Sequence, residues 1–284
     1  MRKLIVGCGY LGKRIAREWI SQGHQVFALT RSPHRANQLR QAGIEPLIGD
    51  VTQGPDFRDL EQLETLLYSV GFDRHSGQSR EAVTVDGLRK ILARLPGKVA
   101  RLLYISTTSV YGIDDGSWVD ADTQCEPKQE NGILALQAER ILNSFAEEHR
   151  VSAGILRLSG IYGRGRLLAR QQSLMNSVPI SANPSGWLNL IHVEDAVSAI
   201  LACETRGRSG ATYLVSDDLP TPRREYYSLL AGLVGAPEPQ FESSPEELQL
   251  LNKRCDNRRT KAELDWTPRF PTFVEGLPDA VQPE

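Results

Sequence analysis

The sequence has only four cysteines, Cys8, Cys125, Cys203 and Cys255, and no two form a CxxC pair. No disulfide framework or zinc site follows, and a reducing cytoplasm is the expected compartment. The five histidines show no ligand spacing, so no metal is expected. No segment approaches the ~18 consecutive apolar residues of a membrane span. The start, Arg2-Lys3 before Leu4-Ile5-Val6-Gly7-Cys8, superficially resembles a lipoprotein signal. Its apolar stretch falls far short of the ~7–15 residues such a signal needs. A net charge of −2, with no block of like charges, offers no attraction to nucleic acid or an anionic membrane. Internal repeats and low-complexity tracts are missing as well. With 40% hydrophobic and 24% charged residues, the 284-residue chain has the proportions of an ordinary globule. It is long enough for one large domain or two unequal lobes.

Glycine is placed with more purpose. Gly7-Cys8-Gly9-Tyr10-Leu11-Gly12 follows the apolar run Leu4-Ile5-Val6, and Leu11, Ile15, Trp19 and Ile20 then recur at helical spacing. Strand, glycine turn and helix are the context in which G-x-G-x-x-G marks a dinucleotide site. Gly7 permits the tight turn, Gly9 lets a pyrophosphate approach the backbone, and Gly12 lets the helix pack on the strand. The helix start at Tyr10 and Leu11 turns free N–H groups toward the phosphates. Without a ligand the same hexapeptide is a structural turn, but its context and position favour the dinucleotide.

The first half alternates strands and helices. Strands are expected at Gln25–Leu29, Ile44–Ile48, within Glu64–Val70, at Arg101–Ile105 and at Ser152–Leu158. Helices are expected at Pro33–Gln41, capped by Ser32 and ended by Gly43, at Arg80–Leu95, stopped by Pro96-Gly97, and at Gly132–His149. This alternation implies an α/β fold with a Rossmann-type, doubly wound parallel sheet. After Gly163 the pattern loosens into helical segments at Val193–Cys203, Pro222–Val234 and Pro245–Leu251, with Pro237–Pro245 as a loop. The expected division is a dinucleotide-binding domain over 1–163 and a smaller C-terminal substrate lobe over 164–284. Trp187, Arg223, Arg224, Tyr226, Tyr227 and the run Asn252-Lys253-Arg254 are that lobe's candidates for lining a substrate cleft. Arginine suits carboxylate or phosphate recognition, though surface arginines and core aromatics are the commoner roles.

The second strand ends Ala28-Leu29-Thr30-Arg31-Ser32, with Arg35 one helical turn on. NAD binders usually place an Asp or Glu here for the ribose 2′-OH. With no carboxylate present, Arg31, helped by Ser32 and Arg35, suits the 2′-phosphate of NADP, which is preferred to NAD.

Further landmarks occur in order: Gly49-Asp50-Val51, Ile105-Ser106-Thr107-Thr108-Ser109-Val110-Tyr111-Gly112, Arg157-Leu158-Ser159-Gly160-Ile161-Tyr162-Gly163, Leu190-Ile191-His192-Val193-Glu194-Asp195, and Lys261–Pro268 with Glu275-Gly276-Leu277. Together with the glycine turn they resemble the extended short-chain dehydrogenase/reductase superfamily, in its NAD-dependent epimerase/dehydratase group, over nearly the whole chain. The resemblance implies that Gly7, Gly9 and Gly12 hold the pyrophosphate and that Asp50 and Val51 lie beside the adenine. It also implies that Thr107 or Thr108 hydrogen-bonds the substrate, the register being open by one residue, and that His192 is structural. Plain strand-end capping is the other reading of the Ser/Thr run.

One departure from the family pattern stands out. The pattern Tyr-Gly-x-Ser-Lys-x-x-Ala-Glu aligns through Gly132, Ala138 and Glu139, which puts Asn131 at the Tyr position and Ala135 at the Lys position. None of the eight tyrosines has a lysine four residues later. An amide cannot exchange a proton at accessible pH, and a methyl supplies no charge. The usual acid–base chemistry, worth typically ~10²–10⁴-fold, therefore needs another group. Tyr111, Asp73, His75 and Tyr162 are candidates, and none is assigned. Two readings stay open: an NAD(P)-dependent epimerase/dehydratase-like oxidoreductase acting on a small molecule such as a nucleotide sugar or carbonyl compound, or a non-catalytic NADP(H)-binding sensor or scaffold. The expected partner is the small-molecule substrate, with no nucleic acid and no membrane, and a homodimer is left open.

Overall fold

The computed structural model describes residues 1–57, 60, 62–95, 99–242 and 252–283. Strand β1 (Arg2–Val6) has Leu4, Ile5 and Val6 fully buried, as a parallel strand covered on both faces must. It is followed by β2 (Gln25–Thr30), β3 (Glu45–Ile48), β4 (Leu63–Tyr68), β5 (Val99–Thr107), β6 (Ser152–Leu158) and β7 (Ala211–Val215). The seven strands form one sheet in the order β3-β2-β1-β4-β5-β6-β7. The pairs β1–β2, β1–β4, β2–β3 and β4–β5 are parallel, and the sheet is parallel and Rossmann-like. Strand order reverses between β1 and β4. Ligands of open α/β sheets bind at that switch point, outside the carboxyl ends of the strands.

The helices that frame this end are α1 (Tyr10–Ser21), α2 (Pro33–Gln41), α3 (Gly87–Leu92) and α4 (Glu130–His149). The α2 boundaries follow the sequence signals: Ser32 Oγ accepts the Arg35 N–H at 3.3 Å and Pro33 opens the helix. The helix expected from Arg80 widens into a π-turn at Ala82–Asp86 before α3, and Pro96-Gly97 lie outside the described residues. One core cluster includes Leu4, Phe27, Leu66, Tyr68, Leu88, Leu102, Leu142 and Ile155. A buried polar clamp ties α4 to the sheet. Glu139 accepts from Arg157 Nε at 3.0 Å and Nη2 at 2.7 Å and from Ser106 Oγ. Side chains from β5 and β6 thereby converge on one carboxylate of α4, and both of its oxygens accept.

The chain folds into two compact units, 1–110 with 127–157 and 200–213, and 111–126 with 158–199 and 214–284. The units interleave along the sequence, in place of a single boundary after Gly163. The second holds α5 (Leu168–Met175), α7 (Arg223–Val234), α8 (Arg258–Leu264), α9 (Phe273–Ala280) and the first half of α6 (Val193–Arg206). Short strand pairs join Trp187–Leu188 to Thr221–Pro222, Gly160–Tyr162 to Leu190–His192, and Ile180–Ser181 to Phe241–Glu242. Phe241–Glu242 thus corrects the expected loop at Pro237–Pro245: the backbone there pairs with a strand. The helical segment expected at Pro245–Leu251 lies outside the described residues.

The second core packs Tyr162, Leu174, Tyr226, Leu230, Phe273 and Leu277. His192 is fully buried, edge-on to Tyr162 and against Phe270. Burial, the largest cause, lowers its pKa. Asp217 is also fully buried, with no hydrogen-bond partner for either carboxylate oxygen among the described residues. Burial, reinforced by Asp218, Asp195 and Glu275, pushes its pKa up to about 8. Among the described residues no helix is long and apolar enough to cross a membrane.

Candidate dinucleotide site

A cavity of about 450 Å³ opens at the carboxyl ends of β1 to β4. Its floor is the glycine turn. Gly7 has φ +95°, and a Cβ there would lie 2.6 Å from the backbone of Ser69 and Val70. Only glycine combines that left-handed conformation with so close a strand. The approach is held by Ser69 N–H donating to Val6 O at 2.8 Å and Ser69 Oγ donating to Gly7 O at 3.0 Å. A Cβ on Gly12 would meet Gly7 O at 2.9 Å and Ile5 Cγ2 at 3.2 Å, so this glycine lets α1 lie against β1. A Cβ on Gly9 would meet nothing within 4 Å. This is open cradle space, and no side chain caps α1 at Gly9, so its first N–H groups stay available. These features fit the pyrophosphate of a dinucleotide.

The wall opposite is polar. Arg31 is half exposed, with Nη1 3.9 Å from Asp50 Oδ2 and Nη2 3.6 Å from Asp73 Oδ2. Asp50 also accepts the Thr52 N–H at 2.8 Å, which starts the turn at Val51. Arg35 Nη2 donates to Cys8 O at 3.3 Å. Gly7, Gly9, Arg31, Ser32, Arg35, Asp50 and Val51 therefore line one cavity. Tyr10, Leu11 and Gly12 are not among its walls; Leu11 and Gly12 are buried where α1 packs. Sequence reasoning missed Cys8, Thr30, Gly49, Ser69 and Val70 as lining residues, and Asp73 lines the wall too. The last three stand just after β4, and the β1–β4 adjacency that brings them to the turn was the signal available. Burial pushes the Cys8 thiol up to about 11, which keeps it protonated and unreactive near neutral pH.

The candidate substrate hydroxyls lie outside this cavity. Thr107 closes β5 and Thr108 begins a tight turn. Thr107 Oγ1 accepts the Ser109 N–H at 3.1 Å, a strand-end cap, and donates to Ser109 Oγ at 3.1 Å. This turn meets the start of α4. Gly132 presses against the Ser109 carbonyl so closely that any Cβ would collide, which brings Asn131 to the Thr107–Ser109 turn. Ala135, one turn further along α4, is buried. His75 is exposed and its N–H is held by Asp73 Oδ1 at 2.9 Å. Tyr111 and Tyr162 are buried, and Tyr162 Oη has no hydrogen-bond partner among the described residues. This differs from the hydroxyl pairing expected of a packed tyrosine; the oxygen occupies space that a Cβ on Gly276 would need.

The sequence agrees with this geometry. The model of the NAD dependent epimerase/dehydratase family matches residues 4–216. The chain belongs to that family. The family is NAD-dependent. The chain is 26% identical to protein YeeZ of Escherichia coli (strain K12) over 279 residues, covering 95% of this chain and 97% of that one. It is 24% identical to the UDP-glucose 4-epimerase of Mycolicibacterium smegmatis over 310 residues, covering 99% and 98%. Among solved structures, the UDP-glucuronic acid 4-epimerase from Bacillus cereus in complex with NAD superposes with a TM-score of 0.82 at 15% identity, covering 99% of this chain and 95% of that one. That likeness shows the shared fold.

Proposed function

We propose that the chain binds NADP in preference to NAD and acts as an epimerase/dehydratase-like oxidoreductase on a small nucleotide-sugar or carbonyl substrate, with Asn131 and Ala135 standing where the family's Tyr and Lys would be. The observation that carries this reading is the cavity at the switch point, walled by Gly7, Gly9, Arg31, Ser32 and Arg35. The nicotinamide would supply hydride acceptance and return. The chain's own residues have separate tasks. Gly7, Gly9 and the α1 N–H groups hold the phosphates, and Arg31 with Ser32 meets the 2′-phosphate. Asp50 and Val51 flank the adenine, and Thr107 or Thr108 hydrogen-bonds substrate. The pairs of Arg31 with Asp50 and Asp73 are long and solvent-exposed. Such pairs are worth about 0–1 kcal/mol, so a phosphate displaces them readily. Arg31→Ala is expected to weaken NADP binding about 10–100-fold, the loss of one charge-assisted phosphate contact, with NAD affinity nearly unchanged. Calorimetry on the two proteins checks this, and equal losses for both dinucleotides would remove the 2′-phosphate role.

The residues at 131 and 135 favour a second reading, a non-catalytic NADP(H) sensor or scaffold. Turnover of NADPH with a panel of carbonyl compounds and nucleotide sugars supports the enzyme. Unequal affinity for NADP⁺ and NADPH without any turnover supports the sensor.

A further inference from the structure

The sequence has no carboxylate at the end of β2, but the fold brings two to that place from elsewhere. Asp50 follows β3 and Asp73 follows β4, and both line the dinucleotide cavity together with Arg31. The two acids are built alike. Asp50 Oδ1 accepts the Thr52 N–H and the Thr52 hydroxyl, each at 2.8 Å. Asp73 Oδ1 accepts the His75 N–H at 2.9 Å. Each acid commits one oxygen to its own turn, two residues on, as an Asx turn does. The other oxygen of each faces Arg31. Asp50 Oδ2 stands 3.9 Å from Nη1, and Asp73 Oδ2 stands 3.6 Å from Nη2.

The guanidinium is therefore divided, with one terminal nitrogen toward each acid. A phosphate takes two parallel N–H donors from one arginine. Arg31 can offer that fork only by turning from at least one carboxylate. The Asp73 side chain is 52% exposed and that of Asp50 20%, so Asp73 is the partner with room to be left. Its backbone is nevertheless set. The Asp73 carbonyl accepts the Ser76 N–H at 3.1 Å and the Ser76 hydroxyl at 2.7 Å, and Ser76 lines the same cavity. The charge stays at the cavity wall whichever way Arg31 turns.

We propose that Asp73 is a specificity-determining residue of the dinucleotide site: it competes with the 2′-phosphate for Arg31 and so holds down the preference for NADP over NAD. The ribose of NAD carries no phosphate that needs the guanidinium, so the competition falls on NADP alone. The inference rests on the cofactor reading proposed above and adds to it a residue that acts against the phosphate, through Arg31.

Asp73→Asn tests this, because the amide keeps an oxygen for the His75 N–H and removes only the charge that faces Arg31. Asp73→Ser, which also keeps an acceptor at the turn, is the second variant and is expected to behave alike. Calorimetry of the full chain with NADP⁺ and with NAD⁺ compares them with wild type, Arg31→Ala and the Arg31→Ala/Asp73→Asn double variant. Asp73→Asn is expected to bind NADP⁺ about 3–10-fold tighter than wild type, with NAD⁺ affinity changed by less than about twofold. The gain shrinks as ionic strength is raised. In the Arg31→Ala background the same substitution changes NADP⁺ affinity by less than about twofold, since the competition has lost its object. An acid that only supported the turn would move both dinucleotides alike. Unchanged or weaker NADP⁺ binding by Asp73→Asn, an equal change for both dinucleotides, or a gain that persists without Arg31 overturns the proposal. The two readings fail separately. A wild type that binds NADP⁺ beside an indifferent Asp73→Asn keeps the cofactor reading and removes this inference, and a chain that binds neither dinucleotide removes both.

Discussion

Asn131→Tyr combined with Ala135→Lys is expected to raise NADPH-dependent turnover on the carbonyl and nucleotide-sugar panel by about 10²–10⁴-fold, the usual contribution of a positioned proton donor. Asn131 sits in the first turn of α4, against the turn that holds Thr107 and Thr108, so a phenol there would stand beside the candidate substrate hydroxyl. Tyrosine alone is not sufficient, because an unassisted phenol titrates near pH 10. An ammonium one helical turn on lowers that value toward neutrality. The lysine enters a position where alanine is 5% exposed. Ala135→Lys alone is therefore expected to lower the unfolding midpoint, and the phenolate of the double variant to restore part of it. Ultraviolet titration of the new phenol reads the coupling without any substrate. Turnover by the double variant no higher than wild type would mean that another group already moves the proton.

Asp217→Asn is expected to stabilise the protein at pH 8 and to leave it nearly unchanged at pH 4. Asp217 is fully buried and its folded pKa is held up to about 8, chiefly by that burial. In the unfolded chain it titrates near 4. Between these values the folded state binds the extra proton, so its contribution is fully present below the unfolded value and is lost as pH rises to about 8. Each pH step in that window corresponds to at most about 1.4 kcal/mol, so the gap between variant and wild type reaches a few kcal/mol at its upper end. A neutral amide of the same shape has no such dependence. Denaturant unfolding of both proteins from pH 4 to pH 9 measures the difference. A gap that does not widen with pH would show that the carboxyl is ionised in the folded state.

Much of this fold is legible in the sequence, since its elements carry local signals. The Leu4–Val6 run, the glycine turn and the Ser32-Pro33 start of α2 each state their own geometry, and β6 agrees residue for residue with expectation. The unread parts depend on contacts distant in the chain. Ser69 and Val70 look like an ordinary strand end until the pairing of β4 with β1 brings them against Gly7. Strand β7 lies at the sheet edge, 53 residues beyond the end of β6, in a region whose periodicity had loosened. The interleaving of the two units has the same cause, because chain crossings leave no local mark. At the candidate site, Arg31, Ser32 and Arg35 were singled out from residue chemistry and position and Asp50 from the family resemblance, and all four line one cavity. The pairing of Arg31 with Asp50 and Asp73 was not legible.

The central claim is that the cavity between Gly7, Arg31 and Asp50 takes a nicotinamide dinucleotide. Isothermal titration of the purified chain with NADP⁺ and with NAD⁺ tests it most directly. The account predicts saturable one-to-one binding, tighter for NADP⁺, and abolished by Gly9→Trp, which fills the open cradle at the turn. Binding of neither dinucleotide, or binding indifferent to Gly9→Trp, would contradict it.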